Sequence, residues 1–176
     1  MKRNISSFKR GLAAVLCLVM TACLLAGCTG SATESSEDFG GKTTTFTLYT
    51  RQAGAEKAAG FGITMPSDIT KYKDVDYRYL KDNDPQLLEY VFYDSDGQEA
   101  VRIRKAVSDE KDISGNPVFY TNIKDVTLDN FKVTLKYNQD DIIKLAVWND
   151  SGNAYALYFN QPVDQETAVF WAKNIH

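Results

Sequence analysis

Residues able to do chemistry are few in this 176-residue chain and are scattered along it. The one histidine, His176, stands last, where a chain end frays and does not hold a general base against a substrate. No glycine-rich phosphate loop, nucleophile elbow or HExxH stretch occurs. Carboxylates remain. Asp94 and Asp96 with Gly97 begin like a calcium loop, but the twelve-residue spacing that ends in a bidentate Glu is absent. Asp109-Glu110-Lys111-Asp112 and Asp140-Asp141 read as solvated turn acids, the usual place for Asp. The chain is therefore expected to have no catalytic residue, no metal and no cofactor, and not to be an enzyme.

Three cysteines complete the inventory, and their positions explain them. Residues 1–11 are basic through Lys2, Arg3, Lys9 and Arg10, and 12–26 form an apolar run of the length of a signal-peptide core, too short for a comfortable membrane span. Cys17 and Cys23 lie inside this run, so cleavage would discard them. At its end stands Leu25-Ala26-Gly27-Cys28, which resembles the lipobox of bacterial lipoproteins. That resemblance implies diacylglycerol on Cys28, cleavage before it, and stable anchoring on the extracytoplasmic side of the cell membrane. Residues 1–27 are thus expected to be a lipoprotein signal peptide. The mature chain would keep no thiol for a disulfide, a metal or a nucleophile.

Sixteen basic and 23 acidic residues follow residue 27, a net charge of −7, which argues against a nucleic-acid partner. From Thr29 to Thr45 Phe39 is the only large apolar residue, so residues 28–45 are expected to be the lipidated Cys and a flexible tether. Beyond it the apolar pattern is regular, with no repeat and no second composition break. One domain is expected over 46–176.

Helix formers stopped by Gly60 predict a short helix over Gln52–Ala59, and a strand is expected at Phe61–Thr64 with a weaker one at Asp76–Leu80. Turn residues predict hairpins at Asp94–Gly97, Asp129-Asn130 and Asn149–Gly152. Leu87–Tyr93 and Glu99–Val107 pair around the first, in a register the pattern leaves open. The later turns set Val126 against Val133, Leu135 against Leu145 and Leu145 against Leu157, one bulky face of a four-stranded antiparallel meander over about 122–160. Asp164 suits an N-cap, and Ala168, Trp171, Ala172 and Ile175 follow at helical spacing. The fold class is α+β: an antiparallel β-meander sheet with a C-terminal helix and a short N-terminal helix on one face.

On that register Lys132, Lys144, Trp148 and Tyr158 fall on the opposite face among alanines. Trp148, Tyr158 and Lys144 are the candidate binding residues, an aromatic platform beside amines that suits a sugar or an acidic peptide. The competing expectation is that the N-terminal hairpin or the 65–85 segment covers Trp148, as large aromatics among alanines are more often packed than displayed.

Val101-Arg102-Ile103-Arg104-Lys105-Ala106 leading to Asp112-Ile113-Ser114-Gly115, followed by Val133-Thr134-Leu135-Lys136, Leu145-Ala146-Val147-Trp148 and Ala154-Tyr155-Ala156-Leu157, resemble the uncharacterised extracytoplasmic domain of Gram-positive bacterial lipoproteins, also seen in anti-sigma-type membrane proteins. The resemblance runs from Phe46 to Ile175 and departs at Tyr137-Asn138, where similar sequences carry Gly after Lys. It implies a fold and no catalytic residues. The expected function is a non-catalytic binding or sensing module for an envelope protein, peptide or glycan. A carrier or chaperone for an apolar ligand is the alternative, favoured by a pocket lined by Leu145, Val147, Tyr155 and Phe159. An envelope carbohydrate hydrolase using carboxylates is the third reading, requiring two acids across a cleft.

Overall fold

The computed structural model describes residues 31–39, 41–139 and 142–176; Cys28, the signal segment and Asp140-Asp141 lie outside the described residues. Among the described residues nine antiparallel strands form one sheet: β1 (Ala32–Phe39), β2 (Lys42–Tyr49), β3 (Asp74–Leu80), β4 (Leu87–Tyr93), β5 (Glu99–Val107), β6 (Asn122–Leu128), β7 (Phe131–Tyr137), β8 (Ile143–Asp150) and β9 (Asn153–Val163). Their order, β1-β2-β3-β4-β5-β9-β8-β7-β6, joins two meanders through the β5–β9 ladder. Helices α1 (Gln52–Ala59) and α2 (Gln165–Asn174) pack on one face, so the architecture is α+β as expected. No helix among the described residues is long and apolar enough to cross a membrane.

The helical face buries Ala55 of α1 and Ala168, Trp171 and Ala172 of α2 against Tyr90, Phe92, Ile103, Leu157 and Phe159. Asp164 caps α2 by accepting from the Thr167 N–H at 2.7 Å. Trp171 meets Phe92 and Phe159 edge-on, with ring centroids 6.2 and 6.1 Å away. The second face is buried as well. There Leu80, Leu87, Leu145, Val147 and Ala156 pack with Phe46 of β2 and with Ile113 and Tyr120 of the segment linking β5 to β6.

Three expectations are corrected. Residues 32–39 and 42–45, expected within a tether, belong with 46–49 to a hairpin paired from Ala32↔Tyr49 to Phe39↔Lys42. Counting apolar residues fails here because Thr43–Thr45 favour extended backbone and a carboxylate docks β1: Glu37 bonds Arg78 at 2.5 Å and Arg102. Phe61–Thr64 is irregular rather than a strand, its backbone satisfied in part by the Glu56 side chain and the His176 carbonyl. In the later meander, Leu128↔Phe131 and Val126↔Val133 pair as expected. Strand β8, however, is shifted by one residue between neighbours otherwise placed correctly: Leu135↔Ala146 and Ala146↔Leu157 replace Leu135 with Leu145 and Leu145 with Leu157. Both Ser151 (φ 52) and Gly152 (φ 76) adopt left-handed backbone, so the β8–β9 turn has two central residues rather than three. A register irregularity between Ile143 and Leu145 leaves Ile143 on the helical face with Ala146 and Trp148.

Candidate functional site

The shift of β8 separates the three candidate binding residues. Trp148 is 3% exposed on the helical face, stacked on Tyr155 (centroids 5.0 Å apart, planes 4° apart) with Phe131 beyond. Tyr158 packs against the second-face cluster, with the Lys144 Nζ 5.3 Å from its ring centroid. Lys144 also donates to the Asn160 carbonyl. Lys144 and Tyr158 are therefore together and Trp148 is not with them, which corrects the platform: the aromatic is core, because it gains more from stacking between two rings than from standing among alanines.

The pocket that would have favoured an apolar carrier does not form either, since Leu145 and Val147 lie in the second-face cluster and Tyr155 and Phe159 in the helical one. A cleft of about 360 Å³ is lined by Tyr72, Phe159 and Trp171 together with Lys71 and Asp94. Asp94 itself closes its turn by accepting from the Asp96 and Gln98 N–H groups, both at 2.9 Å. Asp112 likewise holds a local turn through the Ser114 N–H and binds Lys136.

A different group of residues meets where α1 turns back across the sheet. Helix α1 ends at Gly60, whose N–H bonds the Glu56 carbonyl at 2.9 Å with φ 80, and the chain then runs back over β4 and β5. Glu56 faces this return segment. Its Oε1 accepts from Gln52 Nε2 (2.9 Å), the Ile63 N–H (3.2 Å) and the Tyr90 hydroxyl (2.9 Å). All three donors are neutral. Burial, reinforced by the bond to Glu56, pushes the Tyr90 phenol far above its ordinary range, and Tyr77, edge-on to it at 5.0 Å, is also raised by burial and by Glu56.

Lys105 approaches from β5. It is 8% exposed, donates from Nζ to the Gly62 carbonyl at 2.8 Å and lies 5.2 Å over the Tyr155 ring. Burial lowers its pKa, opposed by the more distant Glu56 and Asp150. Among the described residues neither Glu56 nor Lys105 has an opposite charge within 4.0 Å. Both line one solvent-open pocket of about 640 Å³ with Gln52, Gly62, Ile63 and Met65. His176 reaches the rim of the same pocket, where its carbonyl accepts from the Thr64 N–H at 2.7 Å. This arrangement offers an acceptor and a donor of opposite charge on rigid elements, with an apolar wall beside them, which is the composition of a small-ligand site.

Neither Glu56 nor Lys105 stands out in the sequence. The available signal was parity: Val101, Ile103 and Lys105 alternate onto one face of β5, so a charge falls on the buried stripe. Among the described residues no group of three or more potential metal ligands comes together. Comparison with family models, with curated proteins and with solved structures finds no match to this chain.

Proposed function

We propose that the chain is a membrane-anchored extracytoplasmic lipoprotein, acylated on Cys28, whose folded part is a non-catalytic binding module for a small polar ligand. The signal segment and Leu25-Ala26-Gly27-Cys28 support the anchor. The observation that carries the binding reading is the Glu56–Lys105 pocket, where a carboxylate and a nearly buried ammonium share one cavity without neutralising one another. Lys105 is the buried charge of the two, Glu56 being half-buried, and a buried ammonium without a carboxylate costs free energy that a partner recovers. A ligand supplies that partner.

Two measurements test this. Cys28→Ser is expected to leave the precursor uncleaved or the protein released from membranes; partition into detergent and migration unchanged from wild type refutes the anchor. For the pocket, Lys105→Met removes an ammonium that lacks a carboxylate while keeping the stem's packing, so the unliganded chain is expected to melt at the same or a higher temperature, as is usual where a site is built for a ligand. A fall of several degrees makes Lys105 a structural lysine and removes the binding reading.

A further inference from the structure

Resting on that reading of the pocket, we infer that the Glu56–Lys105 site is built for a free α-amino acid, its ammonium on Glu56 and its carboxylate on Lys105. The charges are of the right kind and in the right condition. Among the described residues Glu56 uses Oε1 for its three hydrogen bonds, which leaves Oε2 to receive a cation. Lys105 spends one of its three donors on the Gly62 carbonyl, so an entering carboxylate meets a second and third.

Geometry bounds the spacing. Both charges rest against the same residue: a Cβ on Gly62 would lie 2.8 Å from Glu56 Oε1, and the Gly62 carbonyl is 2.8 Å from Lys105 Nζ. Across one residue's own atoms this places the two charges no more than about 9 Å apart, and they are more than 4.0 Å apart because they form no ion pair. An α-amino acid places its ammonium and carboxylate about 3 Å apart, and with a charge-assisted hydrogen bond of about 2.8 Å at each end it spans about 8–9 Å. An ω-amino acid or a peptide with both ends charged is too long to lie across the gap. Glycine at position 62 keeps the bridge open, since any side chain there would press on a carboxylate already held by three donors. Ile63 is 1% exposed and belongs to the core, and Met65 packs against that core, so the site selects on the ligand's two charges and not on its side chain.

The test is calorimetric titration of the full chain in detergent with L-leucine, with L-leucinamide, which keeps only the cation, and with N-acetyl-L-leucine, which keeps only the anion. L-leucine is expected to bind at least tenfold more tightly than either analogue, as each charge-assisted bond lost costs that much or more. Glu56→Gln is expected to erase the preference over N-acetyl-L-leucine, and Lys105→Met the preference over L-leucinamide, with unchanged circular dichroism showing that both variants fold. Equal binding of L-leucine and either analogue overturns the zwitterion while leaving a polar-ligand pocket. Absence of binding by L-leucine, glycine and L-phenylalanine overturns the inference outright; the reading of the pocket itself then stands or falls on the separate melting response of unliganded Lys105→Met.

Discussion

Replacing Glu89 by Gln is the most direct test of how the second face holds together. Glu89 is 1% exposed on β4 and bonds three guanidiniums: Arg104 Nε at 2.6 Å, Arg102 at 3.1 Å and Arg78 at 3.3 Å. Burial alone would raise its pKa. The charges of Arg104, Arg102 and Arg78 outweigh burial and hold the carboxyl at about 2. Against an ordinary value of about 4.3, that difference corresponds to about 3 kcal/mol of stability from the ionised form. Glu89→Gln keeps the shape, deletes the charge and leaves three buried cations around a neutral amide, so a loss of about 3 kcal/mol at pH 6 is expected, within the usual cost of breaking a buried ion cluster. The sign follows from a depressed folded-state pKa. Stability from Glu89 is complete above about pH 5 and is lost as pH falls toward 2, so the gap between wild type and variant should close over that interval. Urea unfolding at pH 6 and pH 3 reads both. A gap under about 1 kcal/mol at pH 6, or one that does not shrink at pH 3, refutes the reasoning.

Trp171→Ala empties a site that is 1% exposed and ringed by Phe92, Phe159 and Tyr72, and is expected to cost about 3–5 kcal/mol in urea unfolding; a near-neutral result would place α2 elsewhere. In a Trp171→Phe background the remaining Trp148 should emit at short wavelength and resist acrylamide, since its ring is buried and its Nε1 has no hydrogen-bond partner among the described residues. Strong quenching would reinstate it as a surface aromatic.

Local signals carried the elements that depend on local chemistry. Gln52–Ala59, the Asp164 cap and the stripe Ala168, Trp171, Ala172 and Ile175 appear where propensity and periodicity place them. The face of β8 was not legible, for a physical reason. Alternation assigns faces only when one of them meets water, and here Leu145 and Val147 are as buried on the second face as Ala146 and Trp148 are on the helical one. Register then rests on the turn alone, and left-handed backbone at Ser151, a residue that rarely adopts it, removes one residue from the loop. The pocket was hidden for a related reason. Glu56 sits in a strong helix-forming run, and Lys105 in an Arg-rich strand reads as solvated surface until pairing with β4 and β9 buries it.

The hairpin that replaces the expected tether changes what an anchor at Cys28 would do. A coil of seventeen residues has a root-mean-square reach of about 23 Å and lets a domain turn freely above a bilayer. With β1 beginning at Ala32, only four residue steps remain after Cys28, a fully extended reach of about 14 Å. The strand is also tied inward, because Glu37 bonds Arg78 on β3 and Arg102 on β5, the same arginines that bind Glu89. Any pull through the proposed lipid therefore meets the ion cluster at the middle of the sheet instead of slack chain.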